Sequence, residues 1–119
     1  MSASESVRKK LGKEIQLRVI CEKAYRIFRD ELAKHLHSFD AFLERAKQGK
    51  VPEARKFSSV FHTIKGGAGF FGLTEIYEIS GRLEDLLEKD DLAISSSLDQ
   101  VRSLFAKLKD ASQELIKDK

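Results

Sequence analysis

Apolar residues recur three and four positions apart along most of this chain, and no useful stretch alternates with period two. From Lys13 to about Lys47 the series runs through Ile20, Ala24, Ile27, Phe28, Leu32, Leu36, Phe39, Phe42, Leu43 and Ala46. That spacing gathers the apolar side chains on one face of a helix. Gly49 supplies a stop, and Val51-Pro52-Glu53 is a good start for a second helix, with proline at its first position. Phe57, Val60, Phe61, Ile64, Ala68 and Phe71 continue the same period up to Gly72. Thr74 is placed to cap a third helix carrying Ile76, Ile79, Leu83, Leu86 and Leu87. Ser97-Leu98-Asp99-Gln100 spells a capping box ahead of Val101, Leu104, Phe105, Leu108 and Leu115. A single proline leaves few breaks for a many-stranded fold. Four amphipathic helices with short connections predict an all-α, antiparallel up-down four-helix bundle, with room for an extra N-terminal helical segment.

At 119 residues the chain has the length of one domain. Residues 1–12 are polar and aperiodic and are expected to form a flexible N-terminal segment, with the folded domain over 13–119. The net charge of +3 is modest, and Arg8-Lys9-Lys10 with Lys13 reads as a solvated arm, so no nucleic-acid partner is expected. The one cysteine, Cys21, sits among helix formers and is expected as a half-buried structural thiol. With neither a leader-like start nor an apolar run of membrane length, the chain is expected to be cytoplasmic and free of the membrane. His35 and His37, two apart on a helix, point to different faces and cannot chelate one metal from that spacing. No metal site and no cofactor are expected.

One stretch carries chemistry. Gly67-Ala68-Gly69-Phe70-Phe71-Gly72 matches the G-x-G-x-x-G dinucleotide fingerprint in spelling. That fingerprint works only after a buried strand and at the start of a helix, inside a βαβ unit. Here the preceding apolar residues follow 3.6 rather than 2, so the match is coincidental. A phosphate-binding P-loop fails too, because its lysine follows the glycines and Lys65 precedes them. Placed on a helix at about 100° per residue, Phe57, Val60, Phe61, Ile64, Ala68 and Phe71 form a core stripe. His62 then lies about 140° away, on the solvent side. It shares that side with Ser58, Ser59, Lys65, Gly66 and Gly69, mostly small residues that would let another macromolecule approach the imidazole. Glycine within a helix costs about 1 kcal/mol against alanine, so these glycines call for a function. Phe70 projects away from the core stripe, either as part of a docking patch or packed under the loop at the helix end.

The next helix offers a partner. If the two helices fold back about Leu73, residues equally far from it lie level, and His62 and Glu84 are such a pair. A carboxylate that accepts the Nδ1 proton of an imidazole fixes the tautomer and leaves Nε2 free as a nucleophile. Lys65 stands on the same face as His62 and would offset the charge of a phosphoryl group on Nε2.

The residues His62-Thr63-Ile64-Lys65-Gly66-Gly67-Ala68-Gly69-Phe70-Phe71-Gly72-Leu73 closely resemble the phosphoacceptor motif of histidine phosphotransfer (HPt) domains. Ile79-Ser80-Gly81-Arg82-Leu83-Glu84-Asp85-Leu86-Leu87-Glu88 looks like the following helix in the N-terminal HPt domains of chemotaxis-type histidine kinases. The resemblance implies a helical bundle whose histidine is phosphorylated at Nε2 and passes the group to an aspartate of a response-regulator receiver domain. By that match His62 is the phosphoacceptor, Lys65 assists with the phosphoryl charge, Gly66 clears the docking face and Glu84 hydrogen-bonds the acceptor. The match departs at Gly81, where many chemotaxis-type members carry a second histidine. It implies two partners, a receiver domain and a kinase ATP-binding domain on the same or another chain, because the domain holds no nucleotide site. Ser58, Ser59, Gly66, Gly69 and Phe70 are the expected docking residues. A free-standing relay protein and a phosphate-free helical adaptor are the alternative readings.

Overall fold

The structure, a computed structural model, describes residues 2–47, 54–89 and 96–117, with side chains for 20–47, 54–89 and 96–116. It contains α1 (Ser2–Ala46), α2 (Ala54–Phe70), α3 (Thr74–Leu87) and α4 (Leu98–Lys117), and no strand among the described residues. The all-α bundle expected from the apolar spacing is the fold found. Each helix packs on two others: α1 on α2 and α4, and α3 on α2 and α4. The neighbours run antiparallel. Tyr25 and Phe28 of α1 meet Phe71 beyond the end of α2, while Phe39 and Phe42 meet Phe57 near its start. Gly49 and Val51-Pro52-Glu53 lie outside the described residues, and α2 is helical from Ala54.

The core centres on Phe39, which is fully buried. Its ring stacks on Phe42 at 5.3 Å and meets Phe57, Phe61 and Phe105 edge-on at 5.0, 4.9 and 4.8 Å. One side chain thus ties α1 to α2 and α4. Leu32, Ile64, Leu83, Leu87, Val101 and Leu108, each at most 2 % exposed, fill the space around it. The apolar faces of all four helices supply this interior, as their 3.6-residue spacing requires.

α1 is longer than the bundle. Its backbone is helical from Ser2, in line with the room left for an extra N-terminal helical segment. A 45-residue helix spans about 67 Å, close to the 71 Å long axis of the molecule, whose other extents are 26 and 19 Å. Near its N-terminal side α1 outruns its neighbours, since Phe71 beyond the last turn of α2 already packs on Tyr25 and Phe28. This overturns three expectations. Cys21 is exposed rather than half-buried, and Ile20 and Ile27 are 61 % and 57 % exposed although their spacing placed them in the core stripe. Ile27 is turned about 140° from Leu32 around the helix, so it misses the buried face.

The turn between α2 and α3 is sharply defined. Gly72 has φ +70°, the left-handed conformation that side chains with a Cβ adopt at a cost. Leu73 N–H donates to Ala68 C=O at 2.8 Å and Gly72 N–H to Gly69 C=O at 3.3 Å. This is a Schellman motif, which satisfies the carbonyls at the end of α2. Leu73, not Thr74, is the N-cap of α3, with no side-chain capping bond. The same Leu73 that closes α2 opens α3, and this shortens the connection by one residue from that expected.

Candidate functional site

The register of the α2–α3 hairpin assembles the site. With Leu73 as the midpoint, residues equally distant in sequence face one another, and three such pairs line one edge. His62 Nδ1 lies 2.7 Å from Glu84 Oε2. Between Lys65 and Gly81, a Cβ added to the glycine would stand 3.6 Å from the lysine Cδ and 3.7 Å from its Cε. A Cβ on Gly69 would stand 3.2 Å from the Tyr77 ring.

The chemistry follows from exposure and from what each group can donate. The His62 side chain is 72 % exposed while that of Glu84 is 13 % exposed. A carboxylate only accepts hydrogen bonds, so His62 Nδ1–H is the donor in the 2.7 Å contact. That places the proton on Nδ1 and leaves the Nε2 lone pair free on a ring that projects into solvent. The largely buried carboxylate is the fixed element and the exposed imidazole is held by it. The other carboxylate oxygen, Oε1, lies 3.8 Å from Lys65 Nζ. Glu84 therefore touches both His62 and Lys65, two residues separated by one helical turn.

The remaining expected site residues divide. Ser59 and Gly66 are exposed, and nothing stands within 4 Å of a Cβ built on Gly66, so the surface beside His62 is open there. Phe70 is 71 % exposed, its edge against Phe71 at 4.9 Å. Ser58 is not on that surface: it is 8 % exposed. The sequence wheel centred the buried face of α2 on Phe57, whereas Ala54, Ser58, Phe61, Ile64 and Ala68 are the buried set. The true centre is rotated by roughly 40° toward α3, which carries Ser58 inward and brings His62 to the edge nearest Glu84. Gly69 is exposed, but its missing side chain makes room for Tyr77. Gly67 serves the packing of α1 on α2, because a Cβ there would fall 2.5 Å from Phe28 Cδ1.

Tyr77 was not singled out from the sequence. The signal was present, since Tyr77 and Gly69 are equidistant from Leu73, as are His62 and Glu84. Lys65 Nζ stands 5.5 Å from the centre of the Tyr77 ring. Among the described residues no group of three or more histidine, cysteine, aspartate or glutamate side chains is arranged to hold a metal ion. No described helix is long and apolar enough to cross a membrane.

Comparison with known proteins identifies the family. The Hpt domain family matches residues 23–115, most of the chain, and the protein belongs to that family. Chemotaxis protein CheA of Salmonella typhimurium is 35 % identical over 66 residues, covering 53 % of this chain and 10 % of that protein. The chain thus corresponds to about a tenth of the length of that relative. No solved structure matched significantly. The family places the protein in histidine phosphotransfer within two-component signalling.

Proposed function

We propose that His62 is the phosphoacceptor, taking a phosphoryl group on Nε2 from the ATP-binding domain of a histidine kinase and passing it to a receiver-domain aspartate. The observation that carries this reading is the 2.7 Å contact between His62 Nδ1 and the largely buried Glu84 carboxylate. The Nε2 lone pair attacks the γ-phosphorus of ATP, the N–P bond forms, the bond to the β-phosphate oxygen breaks, and ADP leaves. Nδ1 keeps its proton, so the ring becomes cationic as the bond forms. The Glu84 carboxylate lies against that developing charge and stabilises it more than it stabilises the neutral ring. Lys65 offsets the phosphoryl oxygens. In the second step the aspartate carboxylate attacks phosphorus, the N–P bond breaks, and the ring returns to the neutral Nδ1–H form.

The open surface of Ser59, Gly66 and Phe70 is the face on which the partners dock, with Gly69 at its margin. The similarity to a chemotaxis protein favours a place as the phosphotransfer domain of a chemotaxis-type kinase in the cytoplasm, with residues 13–119 as the functional unit. The site is complete for phosphate acceptance, which favours this reading over a phosphate-free adaptor. Incubation with a panel of ATP-charged histidine kinases, and with phosphorylated receivers, tests it. Acid-labile, base-stable phosphate is expected on the wild type and not on His62→Gln. Equal labelling of the two, or none of the wild type across the panel, would refute the assignment.

A further inference from the structure

We infer that Tyr77 is a positioning residue for Lys65, with Gly69 and Gly81 providing the space that makes this possible; the inference rests on the phosphoacceptor role proposed for His62. Lys65 is half-buried, and two groups of α3 bracket its ammonium. The Tyr77 ring lies below it at 5.5 Å to the centroid, and Glu84 Oε1 stands 3.8 Å away. A cation over an aromatic face is attracted by the ring quadrupole. Without that second contact, one long-range ion pair is all that would orient a flexible four-carbon stem.

The glycines explain why the arrangement fits. The Lys65 stem lies across Gly81, with Cδ, Cε and Nζ at 3.6, 3.7 and 4.0 Å from where a Cβ would be. A methyl group is tolerated at those distances, but any longer side chain on α3 would enter the path of the lysine. The Tyr77 ring lies over Gly69 with its Cδ2 and Cε2 at 3.2 and 3.3 Å from a Cβ built there, closer than ordinary contact. A side chain at position 69 therefore lifts the ring away from the helix and alters the platform under Lys65. Tyr77 itself is 41 % exposed and contributes little to the core, so its ring is available to the lysine. The groove around it is lined by Lys65, Tyr77, Glu78, Gly81, Arg82 and Asp85.

The test uses phosphoramidate as donor, since it needs no cognate kinase. Nε2 attacks its phosphorus, the N–P bond to the ring forms, the donor P–N bond breaks, and ammonia leaves. Tyr77→Leu is expected to slow His62 labelling about threefold, while Tyr77→Phe retains the wild-type rate. In a Lys65→Ala background Tyr77→Leu is expected to have no further effect. Ring-current shielding of the Lys65 Hε protons by NMR is a second readout that is independent of phosphate. It is expected in wild type and Tyr77→Phe, lost in Tyr77→Leu, and reduced in Gly69→Ala. Equal slowing by Tyr77→Leu with and without Lys65, or Lys65 resonances unmoved by Tyr77→Leu, would overturn the inference. If wild type fails to label at His62 the phosphoacceptor reading falls instead, and the Lys65 resonances alone decide whether Tyr77 seats the lysine.

Discussion

Replacing Glu84 by alanine removes the hydrogen-bond acceptor of His62 Nδ1, and its effect on phosphorylation can be worked from the geometry. The bond is charge-assisted and short, 2.7 Å, a class that contributes about 1.5–3 kcal/mol. The imidazole is 72 % exposed, so water competes for Nδ1 and the lower end, about 1.5 kcal/mol, applies. The charge on the ring rises from zero toward one in the transition state, so most of this difference acts on the rate. At about 1.4 kcal/mol per decade, Glu84→Ala should slow labelling of His62 roughly tenfold. Glu84→Gln keeps an oxygen acceptor without the charge and should be intermediate, about two- to fivefold slower. The rates are read with a saturating ATP-charged kinase, and thermal unfolding checks that the bundle persists. Long-range nitrogen–proton correlation spectra report the tautomer, with Nδ1–H dominant in wild type and a mixture in Glu84→Ala. A wild-type rate in Glu84→Ala would refute the reasoning. So would a slower rate with the Nδ1–H tautomer still dominant, because the carboxylate would then not be what holds the ring.

Further expectations concern the scaffold. Gly72→Ala places a Cβ in open space but at φ +70°, and should cost about 1 kcal/mol, a fall in Tm of about 4 °C, with Gly72→Asn less damaging. Phe39→Ala removes the fully buried aromatic hub and should lower unfolding free energy by about 3–5 kcal/mol in urea titration. Deleting residues 1–12 should leave both Tm and His62 labelling within error of the full chain. A large loss of either would move the domain boundary toward the N-terminus.

The apolar spacing made the bundle legible, because each helix buries one face and the 3.6 period records which face that is. The hairpin register was legible for the same reason. Once Leu73 is the midpoint, simple counting pairs His62 with Glu84. What periodicity does not record is how far around each helix its neighbours reach. Ser58 was misplaced because α2 is covered from both the α1 side and the α3 side, so its buried arc is wider than one apolar stripe and centred elsewhere. Cys21 and Ile20 were misplaced because a helix wheel does not show where a long helix runs past the ends of shorter ones, and Ile27 because it is turned away from the face that Leu32 buries. Gly67 and Gly69 lie about 200° apart around α2, but the wheel does not say what each one faces. One lets Phe28 approach from α1 and the other lets Tyr77 approach from α3, a difference that depends on the three-dimensional neighbours. Thr74 looked like a cap because threonine caps well, but the Schellman turn had already placed Leu73 at that position.

The Schellman turn at Gly72 has a further consequence, for the order in which the site forms. His62, Lys65, Tyr77, Gly81 and Glu84 all belong to one hairpin, and the longest separation among them, His62 to Glu84, is 22 residues. Contacts this local close small loops and form early relative to those joining distant parts of a chain. The pairing of imidazole and carboxylate requires α2 and α3 in register, and the turn between them sets that register. α1 and α4 stabilise the hairpin from outside without contributing any of these five residues. Partial openings in which α1 loosens at its N-terminal side therefore leave the reactive centre assembled, so hydrogen exchange along α1 is separable from the lifetime of the His62–Glu84 contact.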